Sequence, residues 1–464
     1  MANVVVQLVS AIHHPAEPRS NDLRDRTALT EPKSLRTYTP SMAVIAMSAG
    51  SYHFTPEGRK LADFSSGVLV ANLGHNPTRW WRRVMEYMQL TELNDVDSDF
   101  IKASPLTAYN AITPLEILAC ERLLANMQTQ PGGARMEQVL WAASGSEAVQ
   151  KALWAAMARD PARNMIVATR GGFHGKKGLA GAVTGSEQDK ERDARVRFIS
   201  FPKQECNNLQ RRRQPIDLKP YEAELQSLTH ELGDKVCCLI TEPYLGGGGS
   251  FHPQPEYLQL LESFCHEHDI LLILDEIQSN FGRTGPMYAY THYGIEPDIV
   301  CLGKGLGNGV PVAATVGRRD VFDHLKYGEG SDTWSANPLS AAAVLATLDE
   351  FEQEDIIGQG NQLSLHIEAG LVRLLDCPIV ANIRGEGCVW GIEFKSLGNH
   401  TAEELAAKCV EGCYLGTSSG MAIHLLGPLA GKVIRVSPPL TMPIAEADAY
   451  LVAMLEIFQS VAST

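Results

Sequence analysis

Two short apolar runs, each ending in a charged residue, constrain this chain more than any other feature. Ile270-Leu271-Leu272-Ile273-Leu274 leads into Asp275-Glu276-Ile277-Gln278. Asp298-Ile299-Val300-Cys301-Leu302-Gly303 stops at Lys304, 29 positions after Asp275. Each run has the length and β-branched content of a buried parallel strand. Similar runs at 139–141, 165–169, 196–201, 236–241 and 312–316 alternate with helix-period segments from about 115 to 318. That alternation predicts an α/β fold: a mostly parallel central sheet covered by helices, with ligands at the carboxyl ends of its strands. After about residue 339 long helices surround a few short strands (389–394, 433–436), as in a smaller α+β domain. The expected division is an N-terminal segment at 1–75 packing with the small domain, a large domain at 76–338 and a small C-terminal domain at 339–464.

Length sets the scale, because 464 residues exceed what one hydrophobic core usually fills. A net charge of −14 argues against nucleic acid or an anionic membrane as the main partner. No apolar run reaches membrane-spanning length. Met1-Ala2-Asn3-Val4-Val5-Val6 lacks the basic start and cleavage site of a signal peptide. The ten cysteines are scattered, several of them inside strand-like runs, which points to reduced thiols and a cytoplasmic protein. Cys265-His266-Glu267-His268 lacks the i, i+4 histidine pair of a zincin and reads as a polar helix end, so no metal site is expected. The polar stretch 202–220, with Arg211-Arg212-Arg213, reads as a solvated surface insertion.

An acid and an amine at one sheet edge can hold the two ends of a flat cofactor. The carboxylate keeps a pyridine nitrogen protonated and the amine condenses with an aldehyde, which is what pyridoxal 5′-phosphate (PLP) requires. Ser144-Gly145-Ser146-Glu147 adds an anion site. Ser144 and Glu147 have capping-box spacing, and the helix start that follows offers free N–H groups to a phosphate. Gly171-Gly172-Phe173-His174-Gly175 follows another strand and suits an aromatic lying on the cofactor ring. Glu242-Pro243 ends the strand 236–241 at the same edge, and the glycines 246–249 beyond it read as a flexible turn.

These residues carry a family resemblance. The chain resembles the class III (ω-type) PLP-dependent aminotransferases of fold type I. The matching stretches run in family order over about 380 residues. They are Asp63-Phe64-Ser65-Ser66-Gly67, Leu73-Gly74-His75-Asn76-Pro77, Ser144-Gly145-Ser146-Glu147-Ala148, Phe173-His174-Gly175, Glu242-Pro243, Asp275-Glu276-Ile277-Gln278, Gly282-Arg283-Thr284-Gly285, Lys304-Gly305, Thr333-Trp334-Ser335-Ala336-Asn337-Pro338 and Ile434-Arg435-Val436-Ser437-Pro438-Pro439-Leu440. The resemblance implies transamination: an amine or amino acid gives its amino group to PLP through a Lys304 Schiff base, and a 2-oxo acid collects it. Lys304 would also shuttle the proton. Asp275 would hold the pyridinium, Gln278 would lie near the phenolic oxygen, and Phe173 would stack, with His174 and Glu242 completing the cofactor pocket. Gly145 and Ser146 would bind the phosphate, and Thr333 would reach it from the other subunit of a homodimer with shared sites. Arg435 would grip a substrate carboxylate.

The chain departs from the pattern in three places. Where relatives that accept ω-amino acids carry a glutamate masking the equivalent of Arg435, this chain has Gly247. Arg435 should then stay available, favouring α-carboxylate substrates in both half-reactions. The stretch ending in Pro439-Leu440 also resembles the dialkylglycine decarboxylase branch. That branch uses a glutamine to align the scissile carboxylate, and here Val68, a substrate-binding candidate, stands in its place. Trp334 is bulkier than the residue usual after the threonine. The alternatives are therefore decarboxylation-dependent transamination or amino-acid racemisation, with a non-enzymatic PLP-fold scaffold as a third. Val68 favours transamination, and retention of both Lys304 and Asp275 argues against the scaffold.

Overall fold

The computed structural model describes residues 12–35, 37–91, 99–109, 111–428 and 430–463. The stretch 1–6, read as a poor signal peptide, lies outside them. Three short strands come first: β1 (Met47–Ala49), β2 (Tyr52–Phe54) and β3 (Lys60–Asp63). The apolar runs then form β4 (Gln138–Ala142), β5 (Met165–Thr169), β6 (Val196–Ile199), β7 (Val236–Thr241), β8 (Leu271–Asp275), β9 (Ile299–Leu302) and β10 (Ala313–Gly317). These seven make one sheet in the order β4-β10-β9-β8-β7-β5-β6. All neighbours are parallel except around β10, which is antiparallel to both β4 and β9.

Strands β7 to β10 are buried at every position. Their side chains alternate between two separate clusters. Ile240, Leu271, Ile273 and Ile299 pack with Val149, Leu153 and Ala156 of the helix Gly145–Arg159. Leu239, Leu272, Leu274 and Val300 pack with Tyr257, Leu258 and Leu261 of the helix Pro255–Glu267. Helices therefore cover both faces, and the strands read as unbroken apolar runs rather than as alternating ones. Each large apolar side chain so buried contributes about 1.5–3 kcal/mol.

Strands β11 (Val380–Glu386), β12 (Val389–Phe394), β13 (Ala422–His424) and β14 (Val433–Val436) follow the long helices Pro338–Gln353 and Ile356–Val372. β11, β12 and β14 form an antiparallel sheet, whereas β13 leaves it to pair with β3 of the N-terminal sheet. That junction is polar. Asp63 is buried and accepts 2.8 and 2.6 Å hydrogen bonds from the Ser65 N–H and hydroxyl on one oxygen, and one from His75 at 2.7 Å on the other. Burial works to raise its pKa, but His53 and His75 outweigh that and hold the carboxyl well below its usual range. Among the described residues no helix is long and apolar enough to cross a membrane.

The stretch 202–220 lies mostly at the surface, as expected, but is tied down, and the reading of the glycine run is corrected. The stretch 202–220 is cross-linked to the C-terminal part: Arg212 pairs with Glu386 at 2.6 Å and Arg213 with Glu368 at 2.9 Å. The glycine run 246–249 is packed, not loose. Arg384 donates to the Gly249 carbonyl at 2.7 Å while its guanidinium lies 3.9 Å from the Phe251 ring centre.

Candidate active site

Asp275 is the last residue of β8, and its register partner on β9 is Cys301, three residues before Lys304. Adjacent parallel strands thus bring both charges to one carboxyl edge. Asp275 is buried, its Oδ2 lying 2.7 Å from His174 Nδ1 while its Oδ1 accepts the Ile277 N–H at 3.1 Å. Burial alone would depress the His174 imidazole; the bond to Asp275 and the nearby Glu242 raise it above its ordinary value instead.

Lys304 sits in the left-handed region at φ 48°, which a non-glycine residue adopts only where its surroundings enforce it. They do so here. Asn280 Nδ2 donates to the Gly303 carbonyl at 3.1 Å, and a Cβ at Gly305 would come within 2.5 Å of the Asn72 amide. The amine has no hydrogen-bond partner among the described residues, and burial brings its pKa down to about 8 against the opposing pull of Asp275 and Glu242.

The helix Gly145–Arg159 starts as its spacing predicts, with one difference. Ser144 Oγ accepts the Glu147 N–H at 3.3 Å, but Glu147 Oε2 reaches back to the Ala143 N–H at 2.9 Å instead of Ser144. The Gly145 and Ser146 N–H groups have no acceptor among the described residues, and Ser146 is exposed. Phe173 is 41% exposed between buried neighbours, and its N–H donates to Glu242 Oε2 at 2.9 Å. A bare aromatic face, an unpartnered, half-buried amine, a carboxylate on an adjacent strand and unpaired N–H groups at a helix start make a donor set that fits PLP.

Glu242 is buried and pushed up to about 7 by desolvation. Its Oε1 accepts from Gln278 Nε2 at 3.1 Å, and Gln278 Oε1 accepts from Arg435 Nη1 at 2.8 Å. Arg435, on β14, is 7% exposed, and its Nε is buried without a partner. The Pro438 carbonyl is held by Arg283 at 2.6 Å, so Arg435 is not what fixes the Pro438-Pro439 turn.

Val68 lies in a left-handed turn in which Ser66, Gly67, Val68 and Leu69 have φ of 42°, 61°, 71° and 63°. Such a turn costs L-residues roughly 1–2 kcal/mol each, and a β-branched residue there is a genuine outlier. Arg283 Nη2 holds the Ser66 hydroxyl at 2.9 Å, Ser66 donates to the Ser437 carbonyl at 2.6 Å, and Leu69 packs on Tyr244. The turn leaves the Val68 side chain 39% exposed. Thr333 does not join these groups. It stands exposed beside Asp332, which Lys151 holds at 2.7 Å, and Trp334 next to it is 62% exposed.

Several contributors have no local signature in the sequence. Arg283 is buried and bonds to Ser66, Asn72, Cys388 and Pro438, which lie in three separate parts of the chain. Glu276 is buried as an acceptor for the Ala289 and Tyr290 N–H groups at 2.7 and 2.8 Å. The Gln278–Arg435 contact spans 157 positions. The stretch Gly282-Arg283-Thr284-Gly285, part of the family resemblance, is the one hint the sequence holds for Arg283.

A family model described as aminotransferase class-III matches residues 34–458. The acetylornithine aminotransferase of Streptomyces coelicolor is 30% identical over 427 residues, covering 92% of this chain and 93% of that protein. The 4-aminobutyrate aminotransferase of Mycobacterium leprae is 28% identical over 451 residues, with 94% of each covered. Among solved structures, a PLP-bound amine transaminase from an uncultivated Pseudomonas species is 25% identical with a TM-score of 0.75, covering 97% of this chain and 98% of that one. A Bacillus anthracis aminotransferase, 22% identical with a TM-score of 0.79 over 95% of this chain and 99% of that one, shares the fold. The fold is that of the type I PLP enzymes, the cofactor is pyridoxal phosphate and the reaction is transamination: the chain belongs to the class III aminotransferases.

Proposed function

We propose that this transaminase carries its cofactor on Lys304 and takes α-carboxylate substrates in both half-reactions: an α-amino acid as donor and a 2-oxo acid as acceptor. The observation that carries this reading is Arg435, a buried guanidinium with an unpartnered Nε, bonded to a neutral amide, with Gly247 where an acidic gate would stand. An α-carboxylate supplies the missing acceptors in bidentate form.

Bound PLP supplies an aldehyde that takes up the amino group and a protonated pyridine that draws electrons from the substrate α-carbon. Asp275, braced by His174, holds the proton on that pyridine nitrogen. Lys304 Nζ moves the proton between the substrate α-carbon and the cofactor's C4′ carbon. Arg435 fixes the carboxylate and thereby which α-carbon bond faces the ring. The Gly145 and Ser146 N–H groups hold the phosphate, and Phe173 covers one ring face. Val68 forms an apolar wall that offers a scissile carboxylate no hydrogen bond.

The same reading makes the enzyme a homodimer in which Thr333 completes the partner's phosphate site, with the chain divided at 75/76 and 338/339. Exposed Ile112, Tyr327 and Trp334 support a covered surface. Mixing Lys304→Ala with Thr333→Ala protomers should restore part of the activity at hybrid sites, and an active monomer in ultracentrifugation would rule the dimer out.

A donor and acceptor panel, followed by the cofactor's absorbance, tests the substrate reading. α-Amino acids with pyruvate or 2-oxoglutarate should turn over well above ω-amines paired with aldehydes. Stoichiometric carbon dioxide from 2-aminoisobutyrate would move the enzyme to the decarboxylating branch instead.

A further inference from the structure

We infer that Gln278 is a neutral placeholder for the substrate carboxylate, holding Arg435 ready without competing for it, and so sets the enzyme's preference for α-carboxylates. The inference rests on the substrate reading above and deepens it. A buried guanidinium must be satisfied when no substrate is bound. In this chain the carboxylate nearest in the hydrogen-bonded chain, Glu242, does not pair with it. The Gln278 amide stands between them, giving its N–H to Glu242 at 3.1 Å and its oxygen to Arg435 at 2.8 Å. Among the described residues Arg435 makes no ion pair.

A direct carboxylate partner would hold Arg435 roughly twice as strongly as a neutral acceptor does, and each incoming 2-oxo acid would have to break that bond. An amide oxygen is displaced more cheaply. The amide is also fixed in this sense. Flipping it would turn its N–H groups towards the guanidinium and its oxygen towards the Glu242 carboxylate. The loop leaves no slack, since a Cβ at Gly246 would lie 2.5 Å from Gln278 Oε1 and the Gly246 N–H donates to Glu242 at 3.3 Å. The second amide N–H remains free for the cofactor's phenolic oxygen, so one side chain serves acid, cofactor and arginine together. An acidic gate has no room at the neighbouring position: a Cβ at Gly247 would lie 2.9 Å from Phe173 Cβ. Gln278 is in this sense a positioning residue, acting through Arg435.

The test turns the placeholder into a charged competitor. Holoenzyme carrying Gln278→Glu is titrated calorimetrically with propanoate, which has a carboxylate but neither amino nor oxo group. KM and kcat are then measured for pyruvate and for butanal. The expected result is about tenfold weaker propanoate binding, with KM for pyruvate rising about tenfold more than KM for butanal. Gln278→Ala should weaken propanoate binding by less than about threefold, since Arg435 loses its prop but no charged partner has to be displaced. It decides the matter alone should the glutamate variant lose its cofactor. Unchanged propanoate binding in Gln278→Glu, equal losses for both acceptors, or propanoate binding weakened about tenfold or more in Gln278→Ala would each overturn the inference while leaving the substrate reading intact. A parent enzyme that binds no propanoate and does not favour pyruvate over butanal overturns both.

Discussion

The two ends of the active site are built on opposite principles. At the cofactor end the two acids already have partners: Asp275 is bonded to His174 and to the Ile277 N–H, and Glu242 takes the Phe173 N–H. At the carboxylate end Arg435 is buried with an orphaned Nε and leans on a neutral amide. The acids of the first end are set by the protein, whereas the arginine of the second is completed by whatever binds. A resident cofactor repays a preassembled cradle, because the strain of Lys304 at φ 48° is borne once and held by Asn280 and Asn72. A substrate that enters and leaves in every half-reaction is better served by a site whose free state holds nothing that must be torn away.

The sharpest way to break that comparison is to remove the amine from the cofactor end. Lys304→Ala should cost about a thousandfold in rate or more, because the covalent hold and the proton shuttle disappear together. Borohydride reduction and peptide mapping of the parent should place the pyridoxyl group on Lys304; a label on another lysine would show that the cofactor end has been assigned to the wrong residue.

The same contrast marks what was legible in the sequence. The placement of Asp275 and Lys304 at one sheet edge could be read because Asp275 closes β8 and Lys304 follows β9 by two residues, and the two strands lie side by side in register. The helix at Gly145 announced itself through Ser144 and Glu147, although Glu147 bonds one residue earlier than a capping box requires. The carboxylate end could not be read in the same way. Arg435 arrives on β14, in a different sheet from β8, which Gln278 follows, and no local pattern encodes which acceptor a distant guanidinium will meet. The glycines at 246–249 looked flexible because composition reports freedom of the chain, whereas their use here is to admit Gln278, Phe173 and Arg384 to close approach.

At the carboxylate end, Arg435→Ala should lower kcat/KM for pyruvate or 2-oxoglutarate by about thirty- to hundredfold, the loss of a charge-assisted bidentate pair worth roughly 2–3 kcal/mol. An aldehyde acceptor without a carboxylate should lose far less. Equal losses would make Arg435 a scaffold residue, a role the structure gives to Arg283 at the Pro438 carbonyl.

A smaller effect sharpens the account of the cofactor end through pH. The nucleophile is the unprotonated amine, and burial lowers Lys304 from the ordinary lysine range to about 8. In cofactor-free protein the rate of PLP capture should therefore climb about tenfold between pH 6 and 7, flatten around 8 and stay level above it. An exposed lysine would keep gaining until about pH 10. Asp275→Asn removes a charge that works to raise the amine's pKa, so its plateau should begin at lower pH. A profile still rising steeply at pH 9 would mean that Lys304 is solvated before the cofactor arrives.

The smallest expected effect lies where the two ends meet. A Cβ at Gly247 would stand 2.9 Å from Phe173 Cβ, closer than such atoms approach, so Gly247→Ala must push the Phe173 backbone or the loop aside by a few tenths of an ångström. Phe173 is tied to Glu242 through its N–H, and Glu242 to Gln278, so the displacement reaches both ends at once. Stacking on the cofactor is worth about 1 kcal/mol, and partial loss of it should weaken PLP binding by about three- to fivefold. Arg435 is reached only through the amide, so KM for pyruvate should change less than twofold. Cofactor affinity measured by fluorescence quenching, set against KM for pyruvate in saturating PLP, separates the two. A variant with unchanged PLP affinity but a several-fold higher KM would show that Gly247 belongs to the carboxylate end alone, and that the boundary between the ends runs between Phe173 and the loop rather than through Gln278.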